Sequence, residues 1–143
     1  MTDATDHTID RTADRLAIQE TLNRYIWGMA DRDYDAWLAC FTTGGTVDYT
    51  SAGGPAAPAA LAKDWLAAAA TMFDVMISHG GNVVVDFTGD DEADVRSIYK
   101  VVMRIPGDPP TYMEACGDYR DRLERTVAGW RIAHRHENIH YLR

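Results

Sequence analysis

His79, Tyr25, Asp121 and Asp31 are the side chains whose types and surroundings point to proton-transfer chemistry. His79 stands in the run Ser78-His79-Gly80-Gly81-Asn82, where two glycines leave its surroundings open. An imidazole titrates near neutrality and can both take and return a proton, as elimination and enolisation require. Tyr25 falls on the last turns of an apolar helical stripe, where its ring can pack while its hydroxyl reaches a pocket and donates to a developing enolate, and a core aromatic is the equal alternative. Strand alternation groups Asp121 with Tyr119 and Leu123, and a carboxylate among apolar groups acquires a raised pKa suited to acid/base work. The same carboxylate equally suits an ion pair with Arg125 on its own face, or with an arginine from elsewhere. Asp31 and Asp33 read first as caps of a helix turn, with catalysis a lesser reading for Asp31.

A second set of residues suits binding. Tyr99 alternates with Val95, Ser97 and Val101 on one strand face, and Tyr119 shares the face of Asp121. Trp27, Met29 and Trp65 are large, soft apolar groups that either fill a core or shape a pocket mouth. His134 and His136 alternate along the last strand without a third ligand at a convincing spacing, so no metal is expected. Cys40 and Cys116 lack any CxxC or Cys/His spacing and read as buried thiols. No cofactor is expected.

The elements that must position these groups follow from periodicity. A helix opens at Thr12 or Asp14 and carries Leu16, Ile18, Leu22, Tyr25, Ile26 and Met29. Asp33 caps a second, short helix through Tyr34, Trp37, Leu38 and Phe41. A short strand, Thr46 to Thr50, puts Val47 and Tyr49 on one face and Asp48 on the other. After the Gly/Pro-rich loop of Ser51 to Pro58, a third helix runs from Ala59 to about Phe73, with Leu61, Trp65, Leu66 and Ala69 as its packing side. Val83 to Phe87 is a strand, Gly89-Asp90-Asp91 a turn, and Ala93 to Ile105 the returning strand. Thr111 to Arg125 and Trp130 to His136 form a long terminal hairpin, joined at Thr126-Val127-Ala128-Gly129. Helices first and antiparallel strands afterwards predict an α+β fold in which a curved sheet packs against three helices and leaves a pocket on its concave side.

The chain has 143 residues, 46% hydrophobic and 25% charged, which suits one globular domain. Its formal net charge of −8 argues against nucleic acid or an anionic membrane surface as a partner. The first residues are polar and acidic and lack the features of a signal peptide, so a cytoplasmic protein with a disordered tail over residues 1–10 and a single domain over 11–143 is expected.

The stretches RYIWGMADRDYDAW, CFT, VDYTS, SHGGN and GDYRDRLERTVAGWRI resemble the SnoaL-like branch of the NTF2-like superfamily, over roughly Asp14 to Arg135. The most specific parts are the Asp-Tyr-Asp after the first helix and the Gly-x-Tyr-x-Asp strand followed by Gly-Trp-Arg-Ile. The resemblance implies a cone-shaped α+β barrel and a homodimer or homotrimer. By similarity to scytalone dehydratase it implies that Tyr49 holds substrate, that His79 is the pocket histidine and that Tyr99 occupies a second histidine's place; Tyr25 is similar to the helix-one tyrosine of bile-acid dehydratase. The aspartate that partners the histidine in those dehydratases is replaced here by Ala30, leaving Asp31 or Asp121 to take its part. The implied function is a cofactor-independent acid/base enzyme, a dehydratase, cyclase or isomerase acting on a hydrophobic polycyclic, terpenoid or polyketide-like small molecule. The rival reading is a non-catalytic small-molecule-binding module, or the small subunit of a ring-hydroxylating dioxygenase.

Overall fold

The computed structural model describes residues Asp10 to Arg143; the expected tail, residues 1–9, lies outside the described residues. Helices α1 (Thr12–Ala30), α2 (Tyr34–Leu38) and α3 (Ala59–Ala70) pack on a six-stranded sheet of β1 (Phe41–Asp48), β2 (Ala56–Pro58), β3 (Val75–Phe87), β4 (Glu92–Ile105), β5 (Thr111–Thr126) and β6 (Gly129–Leu142). The strand order is β2-β1-β6-β5-β4-β3. The sheet is antiparallel except where β1 runs parallel to β6, so the α+β expectation holds with one mixed pairing.

Helix α1 buries Ile18, Leu22 and Tyr25, spaced by four and three residues, which is one face of a helix. Leu16, expected on that stripe, is exposed. Asp33 caps α2 as expected, its carboxylate accepting from the Ala36 amide. Phe41 does not continue α2; it opens β1, and its side chain joins the core beside Trp37. Helix α3 ends at Ala70, short of Phe73, and presents Ala59, Ala62 and Ala70 inward while Leu61 faces out. Small residues there let the helix lie close over β1. The Gly-Trp-Arg-Ile stretch ties α1 to β6: the Trp130 indole donates to Asp14, and its carbonyl accepts from the Thr21 hydroxyl. Burying both polar groups of Trp130 with partners makes this contact stabilising.

Two irregularities in β6 decide which of its residues face inward. The pairing Leu123 with Ile132 is followed by Arg122 with His134, so Ala133 is an extra residue on β6. Beyond this bulge the inward set becomes Arg135, Glu137 and Ile139, while His134 and His136 point outward. A second extra residue, His140, follows Ile139. Opposite it stands Gly117, where a Cβ would lie 1.8 Å from the Asn138 carbonyl oxygen, so only glycine lets the two strands approach. This explains the glycine of the Gly-x-Tyr-x-Asp strand.

Candidate active site

The concave face of the sheet, α1 and α3 enclose a cavity of about 330 Å³. Its wall is apolar and includes Met29, Trp65, Leu66, Phe73, Val101 and Ile139. Four tyrosines, Tyr25, Tyr49, Tyr99 and Tyr119, reach it from α1, from just beyond β1, from β4 and from β5, and all four are buried. Each strand tyrosine is there because alternation holds along its strand: the inward positions of β4 run Ala93, Val95, Ser97, Tyr99, and those of β5 run Ala115, Gly117, Tyr119, Asp121, Leu123.

The polar groups form two short pairs and one ion pair. The Tyr25 and Tyr49 hydroxyls lie 2.6 Å apart. One must donate to the other, which leaves one O–H free for a ligand oxygen. The Tyr99 hydroxyl donates to Glu137 Oε1 at 2.5 Å, and the other carboxyl oxygen has no hydrogen-bond partner among the described residues. Burial raises the Glu137 pKa above the usual glutamate range, against the opposing pull of the Tyr99 hydrogen bond and the Arg135 charge. Burial likewise pushes the Tyr49, Tyr99 and Tyr119 hydroxyls up, so they remain protonated donors at neutral pH.

Arg135 is buried beneath this floor. Its Nε and Nη2 donate to Asp121 at 2.8 and 2.7 Å in a bidentate pair. Its guanidinium lies 4.0 Å from the Tyr25 ring centre and 3.8 Å from that of Tyr119, and these two rings meet edge to face, 5.8 Å apart, so it faces both at their corner. Tyr119 in turn stacks on Tyr99 at 4.4 Å and 21°. Burial opposes the charge of Arg135, but Asp121 and the two tyrosines outweigh it and raise its pKa well above the usual arginine value. The row of Tyr99, Tyr119, Arg135 and Tyr25 therefore holds both hydroxyl pairs against a charged but neutralised base.

The corner after β1 locks the second pair in place. Asp48 accepts from the Thr50 amide and hydroxyl and turns the chain. Ser51 then donates to the Glu137 carbonyl at 2.7 Å and accepts from the Ile139 amide at 3.1 Å, satisfying a β6 edge that β1 has left after the Asp48–His136 register. Trp65 packs on this loop at Gly54, where a Cβ would lie 2.8 Å from the indole.

Several sequence expectations change. His79 is exposed on the outer face of β3, in register with the exposed Lys100, and only its neighbour Ser78 reaches the cavity. The strand begins at Val75, so pairing rather than glycine-given freedom sets the direction of residue 79. Asp31 is exposed at the end of α1, and Trp27 is 64% exposed; both flank a shallow groove between α1 and α2, apart from the cavity. Asp121 is an ion-pair partner of Arg135, while Arg125 binds Asp14 and Asp91 instead. Cys40 is buried, whereas Cys116 is half-buried. Met29, Tyr25, Tyr49, Tyr99, Tyr119 and Trp65 all line the cavity. Glu137 is not among the residues the sequence singles out: His134 and His136 are the conspicuous groups of that strand, and the one signal for Glu137 is a carboxylate in a segment that must turn one face inward.

Among the described residues no group of His, Cys, Asp or Glu is placed to hold a metal ion. None of the described helices is long and apolar enough to cross a membrane.

The backbone is similar to solved structures at low identity. The Kfla4162 protein of Kribbella flavida superposes with a TM-score of 0.84 at 23% identity, covering 94% of this chain and 95% of that one. A Novosphingobium aromaticivorans protein provisionally named a scytalone dehydratase gives 0.82 at 21% identity, over 92% and 87% of the two chains. The hexachlorocyclohexane dehydrochlorinase LinA-type3 of Novosphingobium barchaimii gives 0.75 at 18%, over 93% and 90%. No curated protein sequence matches the chain. A family model described as the SnoaL-like domain matches residues 10–136. With that match over nearly the whole chain, and with a cone of curved sheet and three helices as its fold, the chain belongs to the SnoaL-like domain family of the NTF2-like superfamily.

Proposed function

We propose that this chain is a cofactor-independent acid/base enzyme of the lyase type, acting on a hydrophobic ring-bearing small molecule, with Glu137 as the group that moves the proton. The observation that carries this reading is the Glu137 carboxyl, raised in pKa, held by Tyr99 and facing an apolar cavity. A carboxylate with a raised pKa is a stronger base than one in water, and its acid form is the better populated for returning the proton.

The step is β-elimination or its first half. The Glu137 carboxylate takes the acidic proton beside a carbonyl, and the C–H electron pair moves onto the carbonyl oxygen as an enolate. The free hydroxyl of the Tyr25–Tyr49 pair donates to that oxygen and stabilises its charge. When the enolate collapses, the bond to a β-hydroxyl breaks, Glu137 protonates the departing oxygen, and an enone and water result. Without a leaving group, returning the proton to a different carbon of a conjugated enolate shifts the double bond and gives an isomerisation. The histidine expected to do this work is outside the cavity, so the carboxyl–phenol pair takes its place in the reading.

The test uses 1-tetralone in deuterated buffer, with exchange of its α-protons followed by NMR. The wild-type chain should accelerate exchange, and Glu137→Gln should lose roughly 100-fold of that acceleration. Equal rates for the two proteins would remove the proposal. A second reading, a small-molecule binder without turnover, is favoured by the alanine at position 30 and by a cavity that no imidazole lines among the described residues. Binding of 1-tetralone by the wild-type chain with no exchange would decide for it.

A further inference from the structure

The methionines are distributed unlike any other residue type. The chain has six, and Met29, Met72, Met76, Met103 and Met113 all line the one cavity, Met1 being outside the described residues. They come from α1, from the turn after α3 and from three different strands, so no local pattern gathers them. Met72 is 59% exposed and Leu142 beside the cavity 56%, whereas Tyr25, Tyr49, Tyr99 and Tyr119 are each 5% exposed or less. The cavity is therefore graded from a wet, greasy rim to a rigid polar floor.

The two ends have different physics. Methionine has three rotatable bonds and a polarizable sulfur, so a wall of it adapts to the shape it meets. The floor adapts far less, because Tyr99 stacks on Tyr119, the Arg135 guanidinium packs on Tyr119 and Tyr25, and Tyr99, Arg135 and Tyr25 are each hydrogen-bonded. Among the described lining residues Glu137 is the only carboxylate, and no lysine or arginine lines the cavity; Arg135 is already bound to Asp121 below the rings. An anionic head group would meet a carboxyl and no exposed cation. A cationic head would have to leave water for an ion pair with Glu137 in apolar surroundings, which barely repays its desolvation.

Building on the proposed acid/base site, the geometry points to an uncharged ligand that enters oxygen end first: its carbonyl or hydroxyl is read by the Tyr25–Tyr49 and Tyr99–Glu137 pairs, and its ring body is accepted without close discrimination by the methionine wall. The site selects a head group and tolerates many bodies, so its substrates are neutral ketones or alcohols on varied carbon frames.

Binding of simple probes to the full chain, followed by isothermal calorimetry at pH 8, tests both halves. For 2-naphthol, 4-phenylphenol and 5-indanol, three bodies with one head, dissociation constants should agree within about fivefold. Against 2-naphthol, the headless 2-methylnaphthalene, the anion 2-naphthoate and the cation 2-naphthylmethylammonium should each bind at least about tenfold more weakly. In Glu137→Gln the penalty on naphthoate should shrink. A spread above fivefold among the three phenols overturns the tolerant wall. An ion or the headless hydrocarbon binding within tenfold of 2-naphthol, or a naphthoate penalty unchanged in Glu137→Gln, overturns the neutral-head reading. The phenols are not substrates, so failure of tetralone exchange alongside the expected binding pattern sinks the proton transfer alone. Exchange alongside tight naphthoate binding sinks this inference alone.

Discussion

The two faces of the sheet where β5 and β6 run together carry the same kinds of residues and do opposite things. Inward stand Tyr119, Asp121, Arg135 and Glu137, all at least partly buried and each engaged by a stacked ring, a bidentate pair or a short hydrogen bond. Outward stand Asp118, Arg120, His136 and His140, linked by Asp118 to His140 at 2.6 Å and to Arg120 at 3.1 Å across a surface open to water. Ion pairs on the outer face trade contacts with solvent and contribute little. On the inner face, losing one partner strands the other in a place it cannot solvate. Acid and base side chains acquire chemical character here from enclosure, and residue type alone does not separate the two faces.

The sharpest way to break the contrast is at Arg135. Arg135→Leu leaves Asp121 buried without its partner and should cost about 3–5 kcal/mol in urea unfolding. Adding Asp121→Leu should recover most of that loss, since the pair and an apolar replacement are nearly equivalent. A double variant as unstable as the single one would mean that the tyrosine row, and not charge balance, requires the arginine.

Next in size is the pH dependence that Glu137 imposes. Its pKa is raised in the folded chain, so between the ordinary glutamate value and the raised one the folded state binds more protons than the unfolded state. Stability should therefore fall as pH rises through that window, and Glu137→Gln should flatten the fall. Tyr99→Phe removes a hydrogen bond that works against burial, and the carboxyl pKa read by carbon NMR should move further up. A downward move would show that Tyr99 is not the donor that holds this carboxylate. On the other face, burial pushes Asp118 up, but its hydrogen bonds to His140, Arg120 and Asn138 and the charge of Arg120 together hold it below its usual range, and its linkage has the reverse sign: stability is lost as pH falls.

The smallest effect is expected at His79. His79→Ala removes an exposed side chain from the outer face of β3 and should change stability by less than about 0.5 kcal/mol, with tetralone exchange unaltered within about twofold. A large loss of exchange would return the imidazole to the mechanism.

Much of this site is legible in the sequence. Strict alternation put Tyr99 with Val95, Ser97 and Val101 on one face of β4 and Tyr119 with Asp121 on one face of β5, and both groupings hold because no extra residue interrupts either stretch. Asp33 as a cap and Tyr25 on the apolar stripe follow from local chemistry and helical spacing, and both hold. His79 and Glu137 were not readable, for one shared reason. The direction of each depends on register against a neighbouring strand, and β3 and β6 carry extra residues after Gly81 and at Ala133 that no spacing rule locates. The partner of Asp121 was open for the same cause: Arg135 reaches it only because the β6 bulge carries that arginine inward.

One unpaired position in the last strand thus holds a choice between two catalytic vocabularies. Were Ala133 drawn into regular pairing, the downstream residues would exchange sides, with His134, His136 and Asn138 entering the hollow while Arg135 and Glu137 passed to water. The same string of letters spells an imidazole pocket in one frame and a carboxylic one in the other. A relative could move from one to the other by slipping that frame, with no reacting residue ever replaced.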